Sequence, residues 1–279
     1  MTRTASAWRV LVLLGALGLA GGAGASEGHH EEPEHGGMAA MKAQMAGKKP
    51  AGHHGSAHWG YTGAGGPAHW GDLKDEYILC KIGQNQSPID IGPVVEARLE
   101  PITFDYGAEP LEVINNGHTI QVNRGGGTIM VDGQSFRLLQ FHFHGPSEHT
   151  VGGKHHPLEM HLVHRSADGH LAVVGVFLKE GAENPALAAV WEHMPERAGG
   201  KARAETVRLD VDALLPKDRS YFRYSGSLTT PPCSEGVRWL VLRQPVEVSA
   251  EQIRRFREVM EANNRPVQPL HARKILTPF

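Results

Sequence analysis

The stretch Gln140-Phe141-His142-Phe143-His144 alternates polar and aromatic residues without a break, the pattern of a strand whose two faces differ. Gln140, His142 and His144 then share one face, and Phe141 and Phe143 the other. A second stretch, Glu159-Met160-His161-Leu162-Val163-His164, puts Glu159, His161 and Val163 on one side. Laid beside the first, it brings a third imidazole to the pair. Three neutral imidazoles leave a fourth tetrahedral position open to water, the arrangement of a catalytic rather than a structural zinc site. A ligating histidine also needs an acceptor for its other ring N–H. Gln140 lies two residues before His142, and Glu159 two before His161, each on its ligand's face. Alone, His-x-His on a strand is often only a half-exposed pair; the second strand and the two acceptors favour the metal. His149, His155, His156, His164 and His170 show no comparable partners and read as surface or structural residues.

The elements that must carry these residues are mostly strands. Short alternating or apolar runs predict them near Ile102–Tyr106, Leu111–Asn115, Thr119–Asn123, Thr128–Asp132, Phe136–His144, Leu158–Arg165, Leu171–Leu178 and Val237–Leu242. Asn115-Asn116-Gly117, Arg124-Gly125-Gly126-Gly127, Asp132-Gly133 and Asp168-Gly169 supply the turns. Two helices are predicted. One opens with Asn184 as N-cap and Pro185 at the first position, carries Leu187, Val190, Trp191 and Met194, and stops at Pro195. The other opens with Ser249 and Gln252 as a capping box and carries Ile253, Phe256, Val259 and Met260.

Composition bounds the rest. With 28 Lys plus Arg against 30 Asp plus Glu, both signs interspersed, the 279-residue chain lacks the basic footprint of a nucleic-acid binder. Residues 1–25 combine Arg3 and Arg9, an apolar run from Val10 to Ala20 and Ala23-Gly24-Ala25, which reads as a secretory signal peptide. The run is too short to span a bilayer, so no membrane association is expected after cleavage. Residues 26–57 hold no Val, Ile, Leu, Phe, Tyr or Trp and cannot offset their chain entropy by burial. They read as a disordered linker, or alternatively as a metal-collecting arm through His29, His30, His35, His53, His54, Met38, Met41 and Met45. Residues 58–279 read as one folded domain. Gly63-Ala64-Gly65-Gly66-Pro67-Ala68 imitates a dinucleotide fingerprint but has Pro67 and no preceding strand. H-E-x-x-H and G-x-S-x-G motifs are both absent.

From His58 to Phe279 the chain resembles the α-class carbonic anhydrases. The resemblance rests on His58-Trp59-Gly60-Tyr61, Gly66-Pro67-Ala68-His69-Trp70, Gln86-Ser87-Pro88-Ile89-Asp90, Asn115-Asn116-Gly117-His118, Gln140 to His144, Ser147-Glu148-His149-Thr150, Leu158 to His164, and Ser227-Leu228-Thr229-Thr230-Pro231-Pro232, in the family's order. It implies a mainly β, single-domain fold around a large twisted, mostly antiparallel sheet with a few short peripheral helices. It implies reversible hydration of carbon dioxide to bicarbonate and a proton, by attack of zinc-bound hydroxide. His142, His144 and His161 would be the zinc ligands, Gln140 and Glu159 would orient two of them, and backbone near Asn263 the remaining one. Thr229 would accept the hydroxide's proton, with Glu148 accepting from Thr229, and Thr230 would help place bicarbonate.

By the same resemblance, Val163, Val173, Leu228, Val237 and Trp239 form an apolar pocket wall suited to a small nonpolar substrate. His118 takes the place of a proton shuttle. Tyr61 and Asn116 resemble residues that order the connecting waters, and Gln121 departs from the Asn of many animal members. Cys80 and Cys233, the two cysteines of an exported chain, match positions that many bacterial members pair. Ser87-Pro88 and Pro231-Pro232 match cis peptides. Bacterial members are often homodimers, though no interface can be named from the sequence. Two other readings compete: a noncatalytic relative that has lost a zinc histidine, and a periplasmic zinc-binding protein whose arm is the working part.

Overall fold

The structure is a computed structural model and describes residues 58–279. The expected signal peptide and linker, and with them the proposed metal arm, lie outside the described residues. The strands, in chain order, are β1 (Asp90–Ile91), β2 (Val95–Ala97), β3 (Thr103–Asp105), β4 (Glu109–Asn115), β5 (Ile120–Asn123) and β6 (Thr128–Val131). They continue as β7 (Gln134–His144), β8 (Thr150–Val151), β9 (Lys154–His155), β10 (Leu158–Ser166) and β11 (Leu171–Glu180). The last are β12 (Lys201–Leu209), β13 (Tyr221–Ser227), β14 (Glu235–Leu242), β15 (Val246–Val248) and β16 (Leu276–Pro278). The helices are α1 (Trp70–Leu73), α2 (Leu79–Ile82), α3 (Pro185–Glu192) and α4 (Ala250–Val259).

One large sheet runs in the order β12-β4-β5-β7-β10-β11-β14-β13-β16-β2, with β6 joining β3 to β7, β15 on β11, and β1, β8 and β9 in a small sheet apart. The fold is therefore mainly β. Its central ladders β5–β7, β7–β10 and β10–β11 are antiparallel, whereas β11–β14, β11–β15 and β16–β2 are parallel.

The eight predicted strands are all present. The pattern also misses β13 and β15; most of the other missed strands explain themselves. The edge strand β12 exposes Lys201, Arg203, Glu205 and Arg208, and its alternation is carried only by Ala202 and Ala204 before a register break; such charges are also how an edge avoids unwanted pairing. β1, β2, β8, β9 and β16 are two or three residues long, too short for a period to register.

Both faces of the central strands are covered. One carries a cluster that includes Leu111, Val122, Phe141, Phe143, Met160 and Leu162, closed by Leu187, Val190 and Trp191 of α3 and Ile253 and Phe256 of α4. The other carries Ile89, Val173, Phe177, Tyr224, Val237 and Trp239. Burial of this kind contributes roughly 25 cal/mol per Å² of apolar surface. The caps hold as the sequence predicts: Asn184 accepts from the Leu187 amide, and Ser249 and Gln252 form both halves of the capping box. α3 ends at Glu192, three residues before Pro195, because the His193 ring donates to Ala189 O.

Cys80 and Cys233 form a disulfide with Cα atoms 5.0 Å apart across 153 residues. Ser87-Pro88 and Pro231-Pro232 are cis, as is Gly145-Pro146. Among the described residues, no helix is long and apolar enough to cross a membrane.

Candidate metal centre

Strand register assembles the histidines. His161 on β10 lies directly opposite His142 on β7, and Glu159 opposite His144. His142 also faces Gln121 on β5, and His161 faces Gly175 on β11. Glycine keeps that last position open: a Cβ would stand 3.1 Å from Glu159 Oε1, close enough that the carboxylate would have to shift. One possible ligand atom from each of His142, His144 and His161 lies within 4.8 Å of the other two.

Two of the rings have one nitrogen engaged in a hydrogen bond, and the third has a carboxylate beside one of its nitrogens. His142 Nδ1 donates to Gln140 Oε1 at 2.9 Å, and His144 Nδ1 to Asn263 O at 2.7 Å. His161 Nε2 lies 2.9 Å from Glu159 Oε1. Asn263 is itself fixed, its Oδ1 accepting from the Gly145 amide and its Nδ2 donating to Phe143 O and His118 O. The opposite nitrogens are left over, and His144 Nε2 is buried with no hydrogen-bond partner. Such an orphaned donor set suits a metal.

The electrostatics agree for two of the three. Burial, helped by the neighbouring imidazoles, drives His142 well below the usual histidine range. Burial lowers His144 too, against the pull of Glu148. The neutral form that binds metal is thus favoured at both. For His161, burial is outweighed by Glu159 and Glu148, and its pKa is raised. Glu159, despite its burial, is held well below the usual carboxylate range by His149 and His161.

Two readings of the remaining histidines are corrected here. His149 is fully buried, with Nδ1 donating to Glu159 Oε1 at 2.8 Å and Nε2 2.6 Å from Tyr224 Oη, which is 2.8 Å from Ser87 Oγ. His164, also fully buried, meets Tyr106 Oη at 2.7 Å and Ala172 O at 3.3 Å. Both have partners as specific as the ligands do. The tyrosine partners lie 75 and 58 residues from their histidines, so no local spacing reveals them. His149, Glu159 and His161 also cluster closely enough to hold a metal, but both nitrogens of His149 are already used.

Around the trio, a cavity of about 120 Å³ opens on His142, His144, Thr230, Gln121, Asn116, Tyr61 and His118. His118 is half-buried and stacks on Trp59, ring centroids 3.7 Å apart, with His58 at 5.0 Å on a second ring. Burial and His58 lower its pKa. Asn116 Nδ2 donates to Gln121 Oε1 at 3.4 Å, while Tyr61 Oη is buried without a partner. Val173, Val237 and Trp239 pack in one cluster with Val163 and Leu228 against it.

Thr229 is 5% exposed and Glu148 fully buried. The expected hydrogen bond between them is not formed. Glu148 Oε1 instead accepts from the Arg265 amide at 2.7 Å, and Oε2 is buried without a partner, 3.5 Å from His144 Nε2. The Thr229 loop is anchored by Leu228 N donating to Ser234 O and Cys233 N to Thr230 O. Cys233 takes a left-handed φ of 57° there, a conformation that non-glycine residues adopt only when their surroundings impose it.

Known proteins resemble this chain over most of the described residues. A family model described as eukaryotic-type carbonic anhydrase matches residues 65–279. The carbonic anhydrase of Pectobacterium carotovorum is 52% identical over 225 residues, covering 79% of this chain and 91% of its own. That of a Nostoc species is 45% identical over 227 residues, covering 79% and 86%. Among solved structures, the α-carbonic anhydrase of Thermovibrio ammonificans, in complex with the inhibitor sulfanilamide, superposes with a TM-score of 0.77 at 59% identity, over 80% of this chain and 100% of that one. Zinc dependence is general in this family, and the disulfide places the domain in an oxidising compartment. A match that runs from residue 65 to the last residue, through every strand of the histidine site, leaves one assignment: the chain belongs to the eukaryotic-type carbonic anhydrase family.

Proposed function

We propose that the chain hydrates carbon dioxide reversibly to bicarbonate and a proton, with zinc held by His142, His144 and His161. The observation that carries this reading is the gathering of one possible ligand atom from each of three imidazoles within 4.8 Å, with Gln140 and Asn263 O taking the Nδ1 hydrogens of His142 and His144 and Glu159 standing beside His161. A zinc ion in such a site would supply an acidified water, whose pKa is brought down to about 7 in carbonic anhydrases, the established case. Three neutral ligands leave the metal its full charge for that task.

The rest is done by the chain. The unpartnered Glu148 Oε2 is the acceptor for the Thr229 hydroxyl. Once Thr229 donates there, its Oγ1 is left to accept, and so to orient a hydroxyl group standing before it. Hydrogen bonds of this kind often tighten only in the working complex. Val163, Val173, Leu228, Val237 and Trp239 offer no hydrogen bonds, which suits a substrate that asks for none. Thr230, on the cavity wall, places bicarbonate. His118 takes the proton outward, with Tyr61, Asn116 and Gln121 lining its path. Residues 1–25 are a signal peptide and residues 26–57 a linker, so the domain works in the periplasm or outside the cell.

Stopped-flow CO2 hydration on the chain from Ser26, with zinc content determined on the same sample, tests this. Near one zinc per chain is expected, with turnover that chelation abolishes and zinc restores. Stoichiometric zinc without hydration would favour the binding-protein reading. Turnover that survives complete zinc removal would overturn the ligand assignment.

A further inference from the structure

Arg265 is 2% exposed, and no carboxylate of the described residues forms an ion pair with its guanidinium. Instead Nη1 donates to Gln86 Oε1 and to Ser87 O, both at 2.8 Å, and Nη2 to Cys80 O at 3.1 Å. The guanidinium also lies 5.6 Å from the centre of the Trp70 ring. A lone buried cation is costly unless every donor is used. Burial pulls this one down to about 10, against the opposing attraction of Glu148.

Its main chain performs a second task. The Arg265 amide gives the one hydrogen bond that the Glu148 carboxylate receives among the described residues. Residues 261–270 belong to no helix or strand, so no ladder fixes where that amide points. Asn263, two residues earlier, anchors the segment from one side; from the other it is held by the Arg265 side chain clamped at Cys80, Gln86 and Ser87, helped by Gln268 N donating to Pro88 O. The clamp leads on to the other half of the pair. Cys80 is cross-linked to Cys233, whose O accepts from Gln86 Nε2 and whose N donates to Thr230 O. One bonded circuit thus joins Glu148 to the Thr229-Thr230 loop.

We propose that Arg265 is a positioning residue for the reaction, its buried side chain holding Glu148 in register with Thr229 through the main chain and tying that geometry to the Cys80–Cys233 cross-link. This rests on the carbonic anhydrase reading above. Neither the metal nor the substrate touches Arg265; it acts through Glu148. Misplacing a reacting group's support by an ångström can cost up to about a hundredfold in rate, so an effect of this origin belongs in kcat.

The test is Arg265→Met in the full zinc-loaded chain, which keeps the stem against Trp70 and removes the donors. Expected are a fall in kcat of about tenfold, KM unchanged within a factor of about two, an undiminished zinc content, and faster hydrogen exchange at the residue 265 amide, in the zinc-free protein as well. Arg265→Lys should restore part of kcat, since one ammonium reaches some of the same carbonyls. Reducing the disulfide, at a temperature where the chain stays folded, should lower kcat in the unaltered protein and change Arg265→Met little further. A residue that is merely structural would lower Tm and leave kcat per zinc unchanged; that result overturns the proposal, as does a reduction effect of equal size in both proteins. Should Arg265→Met fail to fold, Gln86→Leu removes a single acceptor, and an unchanged kcat there is equally fatal. Failure of the underlying reading looks different: the unaltered zinc-loaded chain would itself be inactive.

Discussion

Two groups of buried imidazoles share the Glu159 carboxylate, yet they are built for different ends. In the strut formed by His149, both ring nitrogens are spent, one on Glu159 and one on Tyr224. In the trio, Gln140 and Asn263 each take one nitrogen and leave the other, and Glu159 stands 2.9 Å from one nitrogen of His161. Burial does not separate His149 from His144 and His161, which are all within 1% of fully buried. Closeness to carboxylates does not separate them either. The difference is the number of nitrogens already committed, and it teaches that a ligand is recognised by what its neighbours leave undone. His118 extends the series, because no hydrogen bond among the described residues engages its ring.

The sharpest way to break this comparison is to remove one member of each group. His161→Ala should abolish stoichiometric zinc binding and with it hydration, while the domain remains folded. His149→Phe fills similar space but takes one hydrogen-bond partner each from Glu159 and the Tyr224 hydroxyl, and an unsatisfied buried group costs about 1–3 kcal/mol. It should lose about 3 kcal/mol of stability in denaturant unfolding and still bind zinc, with affinity weakened by no more than about a hundredfold, as expected for a residue that only supports a ligand. Equal loss of zinc in the two variants would erase the distinction between ligand and strut.

The ligand half of this comparison was legible in the sequence and the strut half was not. The trio lies on two strands with an unbroken alternation, so the face of each residue follows from counting, and the acceptors Gln140 and Glu159 follow by the same count. His149 sits in the loop after β7, and its partners Tyr224 and Ser87 are 75 residues away or joined through a further contact. Nothing periodic links them. The same holds for Arg265 and Glu148, which are 117 residues apart. Cross-strand register could be guessed because two hydrophobic patterns must align; loop-to-loop hydrogen bonds carry no such pattern. The strands themselves divide likewise, long alternating ones being readable and the charged edge strand β12 not.

A second prediction concerns acid, where strut and ligand should respond differently to metal. Burial holds His164 at about 3, with Tyr106 on Nε2 and Ala172 O facing Nδ1. In the unfolded chain the same group titrates near about 6.5. As pH falls below that value the unfolded state takes up a proton that the folded state refuses, so stability is full above about 6.5 and declines toward 3. At pH 5 the loss is about 2 kcal/mol from this residue. His164→Gln should flatten the pH dependence of unfolding by that amount, whether or not zinc is present. The acid sensitivity of the trio, in contrast, must change with zinc, because protons and metal compete for the same nitrogens. If the His164 contribution also varied with zinc, it would belong with the ligands.

The smallest effect is expected at His118, the imidazole with an uncommitted ring. A histidine can carry protons only if its ring is free to take and give them, and stacking on Trp59 restrains the ring without occupying either nitrogen. His118→Ala should therefore lower the maximal hydration rate by about tenfold in dilute buffer, and added imidazole should restore it, since the exchangeable base replaces the tethered one. In the unaltered chain the rate should rise with pH through a value below the ordinary histidine range, because burial and His58 both disfavour the charged ring. His58→Ala removes the second of these influences and should move that midpoint upward while leaving zinc content alone. A rate unaffected by His118→Ala would transfer the proton path to another base, with His155 and His156 next in line; His155 Nδ1 already donates to Ser147 O, so the count of committed nitrogens favours it less than His118.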